Sequence, residues 1–374
     1  MNKTFPYERY QRQMMLPGFG IAAQQQLSEA RVLVIGAGGL GCPALQYLTG
    51  AGVGVIGIAD GDTVSLSNLH RQILFQTNDI GKNKAETAAF YLRALNPEID
   101  IQVFPKILTS SNLLEVLADF DIVLDGSDNF ATRYMINDAC VLMNKVLVYG
   151  AVSRFEGQVA VFNYMLENGE RSSNYRDLFP QPPQETEVLN CADAGVVGVL
   201  PGIIGSMQAN EVIKLLTGLG TPLVNQLLTF NAMSNQFYTV NILPVKHTHE
   251  LIPKDIAAFE QTDYNWLCNA LPVTNEIDAT TFEDWLGLDD MAIVDVRELH
   301  ELPAVNEFEH YRIPLTKLLT DYQVLTQQKI VVFCQSGKRS RQAVSQLAQV
   351  LDKSKTIVSL RGGILAWKQF REWK

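Results

Sequence analysis

Two stretches of this 374-residue chain hold side chains whose types and spacing can do chemistry. The first is Gly36-Ala37-Gly38-Gly39-Leu40-Gly41, which comes after the apolar run RVLVI at 31–35 and opens a helical pattern. Glycines there let backbone N–H groups approach a phosphate at a helix N-terminus. Asp60 ends the next apolar run, where a carboxylate can bind ribose hydroxyls. Those residues alone also fit a dinucleotide-binding dehydrogenase. The segments after Asp60 favour a different chemistry: Gly61-Asp62-Thr63-Val64, then Ser67-Asn68-Leu69-His70-Arg71-Gln72, then Asp79-Ile80-Gly81 and Lys84. An enzyme that splits ATP between the α- and β-phosphates must neutralise charge growing on both, and Arg71 and Lys84 are suitable clamps. Asp125-Gly126-Ser127-Asp128-Asn129 ends a fourth run. A carboxylate at that edge can hold Mg²⁺ bridging the phosphates.

The second stretch is Cys334-Gln335-Ser336-Gly337-Lys338-Arg339, at the end of the run KIVVFC. Backbone N–H groups of such a loop can point inward at an anionic sulfur. The positive end of the next helix, with Lys338 and Arg339, would lower the thiol pKa and stabilise a persulfide anion. A lone cysteine after a strand is more often structural, so this reading depends on the motifs around it. Cys191, in Asn190-Cys191-Ala192-Asp193-Ala194-Gly195, lies between a polar stretch and a turn. It reads either as a second reactive thiol or as a buried structural one. Cys42 and Cys140 fall in apolar helical patterns and read as core, and Cys268 has no motif around it.

The elements that must position these residues are set by periodicity. RVLVI at 31–35, VGVIGIAD at 53–60, IQVF at 101–104, DIVLD at 121–125 and VLVYG at 146–150 predict buried parallel strands. Helical segments at about 40–50, 82–95 and 131–144 lie between them, which predicts a doubly wound α/β sheet. After Gly150, GQVAVFN at 157–163, QLLTF at 226–230 and QFYTVNIL at 236–243 predict antiparallel strands, so the sheet is mixed. Leu200–Thr217 predicts a helix closed by Gly218, and the apolar stretch Ala194–Met207 reads as a buried loop and helix start. The polar segment 171–190, with Pro180, Pro182 and Pro183, predicts a mobile loop. Residues 246–274 lack a clear period and read as a linker between a first domain at 1–245 and a smaller α/β domain at 275–374. In the second, MAIVDVRE at 291–298, KIVVFCQSG at 329–337 and TIVSL at 356–360 begin with strands, and a helix fills 339–351.

Hydrophobic residues make up 47% of the chain and charged residues 19%, a globular composition, and the length suits two domains. The formal net charge of -10 disfavours a general nucleic-acid-binding role. No apolar run is long enough to span a bilayer, and MNKTFPYERY is not a signal segment. Five well-separated cysteines argue against a disulfide framework and for a reducing cytoplasm.

Taken as a set, ERYQRQ, ARVLVIGAGGLG, DGDTVSLSNLHRQ, DIG with its trailing lysine, DGSDN and NCADAGVVGVLPGIIGSMQANE resemble the MoeB/ThiF family of ubiquitin-activating-type adenylyltransferases over about residues 5–245. DVRE at 295–298, the C-x-x-G-x-R loop from Cys334 and LRGGILAW at 360–367 resemble a rhodanese domain over roughly 275–374. The resemblance implies a Rossmann-like ATP-binding domain fused to a rhodanese-like one. It implies that Gly39 and Asp60 contact the nucleotide with Asn68, Arg71 and Lys84, and that Asp128 carries Mg²⁺. It places Arg12 across a homodimer interface, at the triphosphate of the neighbouring subunit, although Arg12 also reads as an exposed helix arginine. His70 reads as a packing or capping residue. Cys191 would attack the acyl-adenylate or exchange sulfur with it. The implied partners are a small ubiquitin-like sulfur-carrier protein ending in Gly-Gly and a persulfide donor such as a cysteine desulfurase. The small subunit of molybdopterin synthase is the first candidate carrier and the thiamine sulfur carrier the second. An ATP-binding scaffold or sensor without turnover is the non-enzyme alternative, and Arg71, Lys84, Asp128 and Cys334 argue against it.

The pattern departs from relatives at one place. Where they carry a CYRCLFP motif and a later CxxC for structural zinc, this chain has Asn174-Tyr175-Arg176-Asp177-Leu178-Phe179-Pro180 and Val245-Lys246-His247-Thr248-His249-Glu250. Two imidazoles without thiolates make a poor structural zinc site, which predicts that the zinc is absent.

Overall fold

The computed structural model describes residues 7–182, 195–264, 275–352 and 354–372. The chain divides into two compact units, Met1–Cys268 and Asn269–Lys374.

The first unit is built on an eight-stranded sheet. Its strands are β1 (Arg31–Ile35), β2 (Val55–Ala59), β3 (Asp100–Phe104), β4 (Ile122–Asp125), β5 (Val146–Ser153), β6 (Glu156–Phe162), β7 (Gln226–Asn231) and β8 (Gln236–Asn241). They lie in the order β3-β2-β1-β4-β5-β6-β7-β8. The first five are parallel and the rest antiparallel. β1 and β4 are apolar runs covered on both faces, as a parallel sheet between helices requires. Chain order reverses between β1 and β4, so their carboxyl ends open a crevice at the switch point.

Helices cover the sheet. Gly41–Ala51 ends on Gly52, whose left-handed φ of 83° closes the C-terminus. Lys84–Leu95 is capped by Asn83, which accepts from the Glu86 N–H, and Phe130–Leu142 by Asn129, which accepts from the Thr132 N–H. Val199–Thr217 ends on Gly218 as its sequence predicts. The start of that helix is less buried than its apolar sequence suggests, because Val199 is exposed.

Two expectations need correcting. The described part of 171–190 is not a loose loop in its first half. Ser172, Ser173, Asn174, Tyr175 and Arg176 are buried, with a short helix at Tyr175–Leu178; residues 183–190 lie outside the described residues. The physical cause is a polar clasp. Asn174 and Asp177 form a reciprocal cap, and Asp177 also accepts from the Val245 N–H at 3.0 Å and from the Thr248 hydroxyl. Behind it, Arg176 makes a two-pronged pair with buried Asp138 at 2.7 and 2.8 Å, and the Tyr264 hydroxyl donates to the same carboxylate. The described part of the expected linker, 246–264, is likewise packed on the first unit: Phe259 and Tyr264 join its core. Periodicity misses this because short helical turns replace a continuous apolar face.

The second unit carries a five-stranded parallel sheet of β9 (Glu276–Ile277), β10 (Met291–Asp295), β11 (Tyr311–Arg312), β12 (Lys329–Phe333) and β13 (Thr356–Leu360), in the order β11-β10-β12-β13-β9. Helices Lys338–Val350 and Gly363–Glu372 come after β12 and β13. Apolar clusters form on both faces of the sheet, one around Leu347 and Val332 and one around Phe282 and Trp367.

Candidate active sites

At the switch point of the first unit lies a cavity of about 180 Å³. Its walls bring together Gly36, Gly38, Gly39, Asp60, Arg71, Lys84 and Asp128, residues spread over more than ninety positions of sequence. Gly36 turns the chain after β1 with φ of 95°, and a Cβ there would lie 2.7 Å from the Gly126 carbonyl. Gly41 does not line the cavity. A Cβ on it would strike the Gly36 carbonyl at 1.8 Å, so its role is to close the loop against itself.

Asp60, at the end of β2, accepts from the N–H groups of Ala37 and Asp62, both at 2.8 Å. It thereby ties the glycine loop to the second segment. Burial pushes its carboxyl above the usual range, and the Lys84 charge opposes that rise. Lys84 is itself buried, and its ammonium contacts Asp62 at 3.1 Å. Arg71 donates to the Ser67 carbonyl at 3.1 Å and contacts His70 Nε2 at 2.8 Å. Burial and the Arg71 charge both lower the His70 pKa, which favours the neutral ring that accepts from Arg71. The residue itself is exposed, so it is not packed in the core. Asn68 is not on the cavity wall; its carbonyl accepts from the N–H groups of Arg71 and Gln72, both at 3.0 Å, and so shapes the turn that carries Arg71.

Asp128 faces solvent beside the cavity, and the loop holding it is fixed from beneath. Asp125 is fully buried, accepts from the Ser127 N–H at 2.8 Å, and faces the Arg133 guanidinium at 3.5 Å. Arg133 in turn donates to the Ser127 carbonyl at 3.2 Å and lies against the Tyr149 ring at 5.2 Å. Burial raises the Asp125 pKa, with Arg133 the largest opposing influence. The Gln208 amide donates to the Asp125 carbonyl at 2.7 Å from helix Val199–Thr217. Sequence reading missed Arg133 and Gln208; for Gln208 the available signal was a polar residue inside an otherwise apolar helical pattern. It also missed Lys106, on the cavity wall just past β3.

The residues present fit a polar, phosphate-bearing ligand. Gln72 Oε1, on a cavity-lining residue, is buried without a hydrogen-bond partner. A Cβ on Gly39 would lie 2.9 Å from Pro201, so any larger residue would narrow the cradle. Arg12 lies on helix Tyr7–Met14, exposed, and is not brought to this cavity within the chain. Cys191 lies outside the described residues. Cys42 is buried and its thiol is pushed up to about 12, and burial likewise raises Cys140, so neither supplies a thiolate near neutrality. His247 and His249 are exposed, and the positions of the family's first two zinc thiolates are taken by the Asn174–Asp177 clasp. Among the described residues, no group of three or more His, Cys, Asp or Glu side chains is placed to hold a metal ion.

In the second unit Cys334 sits directly after β12 and is fully buried. The Gly337 N–H donates to its sulfur at 3.2 Å, and Gly337, at φ of 92°, caps the next helix. The RGG turn after β13 presses on the loop from the other side: the Ile364 N–H donates to the Cys334 carbonyl at 2.9 Å. Arg339 does not aim a free charge at the sulfur as its sequence position suggests. It forms a two-pronged pair with Glu301 at 2.5 and 2.7 Å, which holds the Glu301 carboxyl below its usual range. The DVRE motif sets that partner in place. Arg297 forks onto Asp295, both fully buried, and donates to the Pro303 carbonyl at 2.9 Å, fixing the loop that bears Glu301.

Comparison with known proteins agrees with both halves. Residues 10–251 match the ThiF family and residues 278–370 match the rhodanese-like domain. The chain is 50% identical over 235 residues to a sulfur carrier protein adenylyltransferase of Thermus thermophilus, covering 63% of this chain and 87% of that protein. It is 37% identical over 376 residues to the probable adenylyltransferase/sulfurtransferase MoeZ of Mycobacterium tuberculosis, covering 96% and 92%. It is 38% identical over 378 residues to the adenylyltransferase and sulfurtransferase MOCS3 of Drosophila grimshawi, covering 96% and 83%. In fold it is similar to E. coli MccB solved with ATP, at a TM-score of 0.55 and 22% identity, covering 63% of this chain and 72% of that one. The chain therefore belongs to the ThiF family, carries a rhodanese-like domain, and is an adenylyltransferase and sulfurtransferase.

Proposed function

We propose that the first unit uses ATP to adenylate the C-terminal glycine of a small ubiquitin-like sulfur-carrier protein, and that the second unit supplies sulfur to it from Cys334. The observation that carries this reading is the convergence of Asp60, Arg71, Lys84 and Asp128 on one cavity. In this reading Asp60 would take the ribose hydroxyls, and Arg71 and Lys84 the phosphates. Mg²⁺, held by Asp128, would supply further neutralisation of phosphate charge. The carrier carboxylate attacks the α-phosphorus, the bond to the bridging oxygen breaks, and pyrophosphate leaves. Arg71 and Lys84 stabilise charge on the departing group.

The terminal sulfur of a Cys334 persulfide then attacks the acyl carbon and AMP departs. The product is an acyl disulfide. A second thiolate attacks the Cys334 sulfur, releasing the thiocarboxylate and leaving a disulfide at that position. Cys191 is the proposed second thiol, or the site of a thioester earlier in the route. The persulfide comes from a donor of the cysteine desulfurase kind. Arg12 is proposed to act at the cavity of a second copy in a homodimer.

The molybdopterin synthase small subunit is the proposed carrier, and the thiamine sulfur carrier is the alternative. Carrier-dependent exchange of labelled pyrophosphate into ATP tests the first step. Exchange with one carrier ending in Gly-Gly, lost when that tail is removed, supports the reading. Exchange with neither carrier would overturn it.

A further inference from the structure

Beneath the Cys334 sulfur lie two side chains that the sulfur-transfer reading does not use. Ser340, in the first turn of helix Lys338–Val350, and Ser359, in β13, are both fully buried. Their hydroxyls meet at 2.9 Å. Ser340 Oγ also lies 3.0 Å from the Gly337 carbonyl and 3.7 Å from Cys334 Sγ, within hydrogen-bond reach of a sulfur. A hydroxyl carries one hydrogen and two acceptor sites. Ser340 therefore chooses between the Gly337 carbonyl and the sulfur, while Ser359 can fill its acceptor side.

We propose that Ser340 and Ser359 form a hydroxyl relay that stabilises the anionic sulfur of Cys334, Ser340 by direct donation and Ser359 as the positioning residue behind it. This rests on the assignment of Cys334 as the sulfur carrier. With a neutral thiol, Ser340 donates to the Gly337 carbonyl. When the sulfur is a thiolate or a persulfide, the Ser340 hydrogen turns to Cys334 Sγ, and Ser359 donates to Ser340 Oγ. When the thiol ionises, its S–H bond breaks and the proton goes to solvent; no bond between heavy atoms changes, and the two serines only reorient their hydrogens. The Gly337 N–H supplies the second donor in both states.

Among the described side chains, the charged groups on the elements around Cys334 already have partners; the Lys338 side chain lies outside those described. On the helix, Arg339 pairs with Glu301 and Arg341 lies 3.8 Å from Glu276. After β13, Arg361 lies 3.6 Å from the same Glu276, and on β10 Asp295 pairs with Arg297. His310 packs on the Phe333 ring. The Ser340 and Ser359 hydroxyls are neutral groups within reach that can respond to charge on the sulfur, and donation to an ion is the stronger kind of hydrogen bond.

The test uses the full chain and thiosulfate. Attack of the Cys334 thiolate on the outer sulfur gives the persulfide and releases sulfite. First-turnover sulfite release is measured across a pH series for wild type, Ser340→Ala, Ser359→Ala, the double alanine variant and Ser340→Thr. Cys334→Ser is the control for the underlying assignment. Release that survives in Cys334→Ser would overturn that assignment, and with it the relay. With the assignment intact, Ser340→Ala should move the pH midpoint upward by about one unit and slow release about tenfold below it. Ser359→Ala should move it in the same direction by less, and Ser340→Thr should restore it. The double variant separates the relay from simple packing. Removing both hydroxyls leaves no orphaned partner, so stability should recover towards wild type while the midpoint stays displaced. A midpoint unchanged in Ser340→Ala and in the double variant would contradict the relay.

Discussion

The two sites solve the problem of stabilising negative charge in different ways. The cavity of the first unit draws on side chains from many separated segments: Asp60 after β2, Arg71 in a loop, Lys84 at a helix start and Asp128 after β4. Its cations are held by anchors such as Asp62 and the Ser67 carbonyl. The Cys334 cradle draws its direct donors from within seven residues, the Gly337 N–H and the Ser340 hydroxyl, with Ser359 of β13 behind them, while its nearest arginine is tied up by Glu301. A spread charge such as a triphosphate suits distributed cations. A single sulfur suits a tight ring of neutral donors, whose dipoles stay fixed in a low dielectric. Substitutions in the first site should therefore act through the framework as well as locally, and those in the second should act locally.

The largest effect should come from Arg133→Met. It leaves the Asp125 carboxylate buried without its cation, at a cost of about 3–5 kcal/mol. Thermal unfolding of the first unit should shift strongly downward, while sulfite release by the second unit at a temperature where both are folded should persist. A near wild-type melting temperature would show that the Asp125 loop does not depend on this pair. Next, Asp128→Ala should cut carrier-dependent pyrophosphate exchange by about 10²–10³-fold with little change in stability, because Asp128 is exposed. Exchange near the wild-type rate would remove Asp128 from the proposed metal site.

Asp177→Ala should cost about 1–3 kcal/mol, since the Val245 N–H and Thr248 hydroxyl lose their acceptor. Metal analysis of the wild-type protein, purified without added metal, should find well under one zinc per chain. Stoichiometric zinc that resists chelation would show that the clasp does not stand in for the metal. The smallest effect tests sharing between copies. Arg12→Ala and Lys84→Ala chains are each expected to be inactive in exchange. Verified heterodimers of the two should regain one working site, roughly half the wild-type rate. No recovery would place Arg12 outside the neighbour's cavity.

Much of this was legible in the sequence because parallel strands buried on both faces are continuous apolar runs, and RVLVI, DIVLD and KIVVF stand out as such. The glycine loop, Asp60, Arg71, Lys84 and Asp128 could be picked out because each sits at a strand end or in a motif adjoining one. Arg133 was not legible, because a buried arginine on a helix looks the same as an exposed one until its partners are known. The Asn174–Asp177 clasp was hidden for a similar reason. Loss of two cysteines is visible in the sequence, but the N–H of Val245 and the hydroxyl of Thr248 that take up Asp177 lie about seventy residues away. Gly41 shows the opposite error: a glycine inside a nucleotide motif that serves the turn and does not line the cavity.

The central claim is that one chain adenylates a carrier and then delivers sulfur to it from Cys334. The most direct measurement monitors both reactions in one variant. Cys334→Ala should keep carrier-dependent pyrophosphate exchange at the wild-type rate, since adenylation needs no thiol. It should form no carrier thiocarboxylate, read by intact mass, from a persulfide donor with free sulfide excluded. Cys191→Ala, measured alongside, should keep sulfite release from thiosulfate and lose thiocarboxylate in proportion to the share of the route that uses that thiol. Normal thiocarboxylate yield from Cys334→Ala under those conditions would contradict the account.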